Sequence, residues 1–591
     1  MPVALYYSQQ IAGYSEKLQA IQRKILLVAI LRVISFIALG IGIYAFFEYR
    51  GLTLAIIVFI FLLSFVLLIK WNFRLTDLRT LWQKLLFINT NELGILNGQT
   101  NRFDNGMKFL SDESYGHDLD IFGERSLYHL LNRTTTSHGT NQLVTSLQNP
   151  LTAKPDIENH QEAISILSQQ TELRQLLTAY GLIHGEKEGN LHAIGSWLHT
   201  PNLLHDAGWI KFIRWVLPVC NIAALLYYLS TDNYIPVGLT IVSSWICIGY
   251  FSKYISDQHV LLGKKQAILD QYASILKIFS GIHSGSSSLL QSLKKDATNA
   301  NAAILRLSQL SRLLDQRMNM VVNVFLNSFL VYDLHCLFAL EKWKIKNRSY
   351  FSQWIQCVGK IESLNSLATF AHNNPDYCQP LVIENRLLLV ATVLAHPLIS
   401  PSERIANDVE MGRTNKLAVV TGSNMSGKTT FLRTVGINLL LAECGAPVCA
   451  TSFTFSPMYV LTAIRISDSL QLHTSYFMAE LKRLQQIIQY LDSGMPALVL
   501  VDEILRGTNS DDKSHGSEEF IKKIISFNCL TLFATHDLSL SALQNQFPGK
   551  VTNTCFESSI RNDELYFDYK LRPGIAKNKN ASFLMRKMDI I

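Results

Sequence analysis

Two apolar runs near the N-terminus, separated by only four residues, constrain this chain more than any other feature. Ile25–Phe47 carries a single charge, Arg32, and Leu52–Ile69 (LTLAIIVFIFLLSFVLLI) carries none. A helix crossing a hydrocarbon core of about 30 Å takes roughly 20 apolar residues, so the first run spans comfortably and the second just spans. The link Glu48-Tyr49-Arg50-Gly51 leaves room only for a helical hairpin. A buried core hairpin is the competing reading, and a second run with no polar face weighs against it.

A weaker pair follows at Trp215–Leu229, which contains Pro218 and Asn221, and Tyr234–Phe251. Trp215, Tyr227, Tyr228, Tyr234, Tyr250 and Phe251 sit at its ends, as interfacial anchors do. An amphipathic core hairpin is the alternative here. Basic residues flank both pairs on one side: Arg23, Lys24, Lys70, Arg74 and Arg79 around the first, Lys211, Arg214, Lys253, Lys264 and Lys265 around the second. The turns hold only Arg50. Both hairpins are therefore expected to enter and leave from the cytoplasmic face, making a multi-pass protein of a bacterial inner membrane. Residues 1–24 are polar, end in Arg23-Lys24, and show no cleavable signal-peptide pattern.

Hydrophobic residues make up 48% and charged residues 17% of the 591, which excludes a disordered or charged fibrous chain. The net charge of +7 permits nucleic acid or anionic lipid as a partner without establishing either. The nine cysteines are scattered, with no C-x-x-C pair, so neither a disulfide framework nor a structural metal is expected. Residues 76–200 read as helices and turns, and 256–372 as almost wholly helical, with lever-like stretches such as AAILRLSQLSRLLDQRMNMVVNVFL. From about Leu381 short β-rich runs (LAVVTG, ALVLVDE, LTLFATH) alternate with helical segments, the pattern of a parallel sheet covered by helices.

The chemistry-bearing motifs lie in that last region. Gly422-Ser423-Asn424-Met425-Ser426-Gly427-Lys428-Thr429 fits G-x-x-x-x-G-K-[ST], follows the apolar run Leu417–Val420 and opens a helical stretch. Its glycines let backbone N–H groups face phosphates, Lys428 neutralises their charge, and the Thr429 hydroxyl is a Mg²⁺ ligand; Thr430 completes the nucleotide set. Ala497–Val501 ends in Asp502 and Glu503, one acid for the Mg²⁺ shell and one to deprotonate an attacking water. A third strand ends in Thr535-His536-Asp537, placing His536 to sense the γ-phosphate or the water. Lys428, Glu503 and His536 are thus the catalytic candidates, with ATP and Mg²⁺ as cofactors.

GSNMSGKTTFLR, DSLQLHTSYFMAEL, LVLVDEILRGTNSDD and TLFATHDL, in this order, resemble the ATPase domain of MutS-type mismatch-repair proteins. LAHPLI and IANDVEMG resemble the lead-in to that domain, and FGERSLYHLLNRTTTSHGTNQLVTSLQNPLT the start of the family's helical core. The resemblance covers roughly 115–200 and 256–591, and the tail RPGIAKNKNASFLMRKMDI shares it. It implies a C-terminal α/β P-loop NTPase domain, ABC-ATPase-like, behind an all-α lever and core domain. Together with the hydropathy it gives a cytosolic segment at 1–24, transmembrane hairpins at 25–70 and 211–255, helical core and lever regions at 71–210 and 256–380, and the ATPase domain at 381–591.

The resemblance further implies a homodimer with composite sites, in which Ser475 of the S-x-F-M-x-E element reaches the partner's nucleotide and Arg506-Gly-Thr-Asn-Ser lines the interface. Departures matter as much. Residues 1–75 are mostly membrane hairpin and leave no room for the family's mismatch-reading domain; Phe46-Phe47-Glu48 matches its F-x-E wedge only in letters. The adenine-stacking aromatic is replaced by Ile405. The second apolar pair interrupts the levers about where the family inserts its DNA clamp. Two functions stay open: a membrane-tethered MutS-like ATPase that binds DNA, and a membrane-coupled mechanochemical ATPase without DNA. KWKIKNR, the best basic cluster, reads as a solvated helix end, and an ABC-type transporter is disfavoured because no LSGGQ-like signature is present.

Overall fold

The computed structural model describes residues 2–111, 115–183, 190–465, 476–505, 509–561, 564–577 and 590. Helix α1 (Val3–Tyr49) and helix α2 (Leu52–Leu96) form an antiparallel hairpin. At 1.5 Å per residue α1 is about 70 Å long, more than twice a hydrocarbon core. The polar segment 1–24 and the residues after 70 are therefore continuous with the apolar runs, with no break at either boundary. Arg50 closes α1 in the left-handed conformation, its N–H bonding the Phe46 carbonyl. The two ends of the hairpin differ. In the most apolar window of α2 no residue is buried. Below it, Leu18, Ile21, Val28 and Leu75 form a closed seam.

The feet of this hairpin are locked into the helical core by buried polar groups. Glu92 forms a two-pronged ion pair with Arg133, Nε to Oε1 at 2.9 Å and Nη2 to Oε2 at 2.8 Å. Asn373 donates to Glu92 Oε2 at 2.7 Å and accepts from the Tyr7 hydroxyl at 2.7 Å. The core itself packs the helices Ser137–Gln148, Lys154–Ser168, Thr171–Ile183 and Gln266–Ser280 against a 42-residue helix, Tyr332–Asn373.

The region expected as nearly unbroken helix is interrupted in several places. Helix Ser288–Asp315 ends in a short turn, Asn319 caps a separate helix Met320–Leu330, and Val331 turns the chain by 84° into Tyr332–Asn373. The second hairpin comprises Gly208–Thr231 and Ile235–Tyr250, with Ser252–Leu262 bent from the latter by 60°. Among the described residues three helices are long and apolar enough to cross a membrane, or up to five if each bent pair counts as one span.

The C-terminal region holds ten described strands in two sheets. The smaller sheet uses β1 (Leu381–Val382), β2 (Leu389–Leu394), β3 (Asn407–Met411) and β5 (Ser452–Phe455) in the order β1-β5-β2-β3, mostly antiparallel. The larger uses β4 (Leu417–Thr421), β6 (Tyr459–Ala463), β7 (Ala497–Asp502), β8 (Cys529–Thr535), β9 (Val551–Arg561) and β10 (Glu564–Pro573) in the order β10-β9-β4-β8-β7-β6. β9, β4, β8, β7 and β6 run parallel, as the alternating pattern predicts. The expected parallel sheet is mixed at one edge, where β10 folds back antiparallel on β9, and a smaller, mostly antiparallel sheet stands beside it. Strands β4, β7 and β8 are buried along their whole length, which is why they read as continuous apolar runs. Register aligns Thr421 with Thr535 and Asp502 with Ala534, bringing three strand ends to one edge.

Candidate nucleotide site

The loop after β4 opens this edge. Gly427 has φ +101°, a left-handed conformation that a side chain disfavours, and a Cβ there would lie 3.0 Å from the Tyr569 ring. A Cβ on Gly422 would meet the Phe556 carbonyl at 2.9 Å. The loop therefore closes tightly and delivers the chain into the helix Lys428–Glu443. Lys428 is buried, and its ammonium donates to the carbonyls of Gly422 at 2.7 Å and Ser423 at 3.0 Å. The Ser426 hydroxyl is buried without a hydrogen-bond partner in the protein. A helix N-terminus, a lysine and an unpartnered hydroxyl on one glycine loop make a setting for phosphate oxygens.

The metal candidates meet. The Thr429 hydroxyl, in the first turn of the helix, hydrogen-bonds the carboxylate of Asp502 at the end of β7. Asp502 is 6% exposed. Glu503 follows with φ +51° and donates its N–H to the Ala534 carbonyl at 3.0 Å, so β8 fixes where its side chain begins. Its carboxylate lies 2.5 Å from Nδ1 of His536, which stands just beyond β8. Leu505, also left-handed at φ +61°, donates to the buried Glu480 carboxylate at 2.7 Å. Two non-glycine residues in this region within three positions mark a strained turn held by its surroundings. Glu480 belongs to the S-x-F-M-x-E stretch; Ser475, and residues 506–508 of the interface segment, lie outside the described residues.

These groups line a cleft of about 410 Å³ that includes Ser423 to Thr430, Asp502 and Glu503. Ile405, Arg404 and Tyr569 also line it. Ile405 is 42% exposed there, and Arg404 lies over the Tyr377 ring at 5.5 Å. Tyr569 went unrecognised in the sequence. It sits in the irregular stretch of β10 between Phe567 and Leu571, and its carbonyl accepts from Asn407 at 3.0 Å. Two tyrosines in an edge strand carry no local signal; only the fold turns Tyr569 to the glycine loop. His396, also in the wall, is pushed down to about 4 by burial and by the Arg433 guanidinium, so it is neutral near pH 7.

One further set of contacts joins this site to the helical core. Arg433, on the phosphate-loop helix, pairs with Asp120 at 2.9 Å, and Asp120 also holds Arg465 at 2.7 Å. Asp118 accepts the backbone N–H groups of Ile464 at 3.2 Å and Arg465 at 2.8 Å. Among the described residues no group of three or more His, Cys, Asp or Glu side chains gathers to hold a metal ion by itself.

A glycine loop between strand and helix, with two acids ending a nearby parallel strand, defines an α/β domain of the type found in MutS ATPase domains. The family model of MutS domain V matches residues 418–586, and that of MutS domain III matches residues 110–187. Residues 418–586 and 110–187 are thus similar to MutS-family domains. It is 30% identical over 242 residues to MutS protein homolog 4 of Homo sapiens, covering 38% of this chain and 25% of that protein. It is 30% identical over 223 residues to the DNA mismatch repair protein MutS of Thermotoga neapolitana, covering 37% and 27%, and 31% identical over 229 residues to that of Natronomonas pharaonis, covering 38% and 26%. The matched part thus spans about a quarter of the length of each of these relatives.

Proposed function

We propose that this chain is a membrane-anchored MutS-family ATPase that binds and hydrolyses ATP on the cytoplasmic face of a bacterial inner membrane. The observation that carries the reading is the convergence, at one sheet edge, of the Lys428 loop, the Thr429–Asp502 contact and the Glu503–His536 contact. The residues fit a magnesium nucleotide. Backbone N–H groups from Ser423 to Thr430 and the Lys428 ammonium hold the phosphates, and the buried Ser426 hydroxyl gains a partner. Thr429 and Asp502 would hold Mg²⁺, which supplies charge neutralisation between the β- and γ-phosphates. Glu503 takes the proton of the attacking water, and His536 orients that carboxylate. Tyr569 offers a ring face to the base in place of the aromatic that Ile405 replaces.

In this reading two copies pair through their ATPase domains, with Ser475 completing the partner's site, and a DNA structure is the ligand of the helical core. The relatives named for DNA mismatch repair support a DNA-related role. A second reading, a mechanochemical ATPase acting on the membrane without DNA, is favoured by one observation: the helices leading from the core run into the apolar segments Gly208–Leu262 and Met320–Leu330. The ATPase reading is tested with Glu503→Gln in the full chain. It should retain ATP with magnesium and lose about 10²- to 10⁴-fold in turnover; turnover at the wild-type rate removes Glu503 as the base. Titration of the detergent-solubilised protein with duplex, mismatched and junction DNA across salt separates the two readings, since phosphate contacts give a salt-dependent affinity.

A further inference from the structure

The stretch between Arg317 and Asp333 contains no charged residue. Within it, Met320, Val321 and Phe325 are exposed by 80, 78 and 63%. Of the polar side chains of the helix Met320–Leu330, Ser328 faces the second hairpin, while Asn327 donates to Asn323 and accepts from the Asp333 N–H at 2.9 Å. Asn221 donates to the Ser328 carbonyl at 3.0 Å and the Phe329 carbonyl at 3.2 Å, and the Trp245 indole donates to the Ser328 hydroxyl at 3.0 Å. The helix therefore satisfies these polar groups within the protein, Ser328 and the carbonyls of its last turn against the hairpin, and turns an apolar face outward, the reverse of what water selects.

Its length and ends limit what that face can meet. Eleven residues make about 16 Å, half a hydrocarbon core, so the helix cannot span. Arg317, in the turn before it, and Asp333, in the helix after it, form an ion pair, Nε to Oδ2 at 3.7 Å, that ties the two flanking segments together. Val331, a β-branched residue at φ +49°, makes the 84° turn into the long helix Tyr332–Asn373. The hairpin helices on which it packs expose apolar side chains too, among them Ile222 and Val242. The exposed side chains Met320, Val321, Val324 and Phe325 offer a partner neither charge nor hydrogen bond, and acyl chains require neither.

We propose that the helix Met320–Leu330 is a third element of the second anchor and lies within the cytoplasmic leaflet, with Met320, Val321 and Phe325 among the acyl chains. This rests on the membrane reading above. It puts the start of the lever helix Tyr332–Asn373 at the bilayer surface. The test uses the full chain with the exposed Cys220 changed to Ser and Phe325→Cys carrying an environment-sensitive NBD dye. The protein is reconstituted in phosphatidylcholine–phosphatidylglycerol vesicles whose lipids bear a doxyl quencher at acyl carbon 5 or 12. The expected result is strong quenching from carbon 5, weaker quenching from carbon 12, and little from aqueous iodide. Iodide quenching without a lipid effect, or stronger quenching from carbon 12, overturns the proposal. Val321→Cys repeats the measurement independently should Phe325→Cys fold poorly. A dye at Ile60→Cys in α2 separates the causes of failure. Lipid quenching there with none at 325 or 321 defeats this inference alone, and none at any position defeats the membrane reading itself.

Discussion

Replacing Glu92 by Leu removes the acceptor at the centre of the joint between the first hairpin and the helical core. Glu92 and Arg133 are 1% and 3% exposed, so neither charge has water to fall back on. The substitution strands the guanidinium and takes an acceptor from Asn373, which ends the lever helix and holds Tyr7 of α1. Breaking one side of a buried pair costs about 3–5 kcal/mol, because an uncompensated charge remains inside. The double variant Glu92→Leu/Arg133→Met leaves no stranded charge and should recover most of that loss. Amide hydrogen exchange at Leu85–Leu96 and at the C-terminal turn of Tyr332–Asn373 reads the opening of this joint directly. With 1.4 kcal/mol per factor of ten, protection should fall by roughly 10²- to 4 × 10³-fold in the single variant. The reasoning is refuted if protection changes less than tenfold, or if the double variant opens as readily as the single one.

Three further outcomes follow from particular contacts. Glu362 is fully buried, and burial pushes its pKa up to about 7 against the hydrogen bonds of Thr135 and Thr136. The native state then holds a proton that the unfolded chain has released, so stability should fall as pH rises from about 4.5 to about 7. Glu362→Gln should flatten that slope in urea-unfolding midpoints measured across pH. Tyr569→Ala should weaken ATP retention by roughly 2- to 10-fold, the loss of about 0.5–1.5 kcal/mol of ring stacking, while an equal affinity would place the base elsewhere. Cysteines introduced at Glu48–Gly51 and Ser230–Asn233 should react with a membrane-impermeant reagent from the outer side alone; labelling only from the cytosolic side contradicts the hairpins.

How legible each part was depended on the distance over which its determinants act. The glycine loop and the acids after β7 are specified within a dozen residues, as strand, turn and helix in sequence, so their types and order could be read directly. The break before Met320–Leu330 could not: it uses no glycine or proline, only an Asn cap at 319 and a left-handed Val331 sustained by packing on the second hairpin. Tyr569 escaped for a related reason. Its place in the cleft follows from the antiparallel return of β10 and from Asn407 on β3, 162 positions away. Glu480 serves Leu505 across 25 residues, again a relation of the fold. The apolar runs declared the hairpins, but hydropathy has no term for where a helix stops once its lower half packs on a core. α1 and α2 therefore run on well beyond the lipid-length segments.

Two joints in series connect the phosphate loop to the first hairpin, and their strengths differ. At the nucleotide end Arg433 and Arg465 share Asp120, whose side chain is 42% exposed. The Arg465 pair, 47% and 42% exposed, contributes at most about 1 kcal/mol, and the Arg433 pair, with one partner open to solvent and the other 12% exposed, still parts more readily than a fully desolvated one. At the hairpin end Arg133 and Glu92 are desolvated, and separating them is costly. Both joints belong to one segment of the core, since Asp120 and Arg133 lie in the same short run of chain that carries the helix Leu127–Leu131. A displacement of the phosphate-loop helix therefore yields first at Asp120. The segment, α2 and the end of the lever helix move together or not at all. The arrangement places compliance next to the candidate nucleotide site and rigidity next to the first hairpin. A displacement that reaches this joint acts on the foot of the first hairpin through Arg133 together with the contacts of Asn89 to Gln175 and Asn91 to Asn101, which stiffen it further.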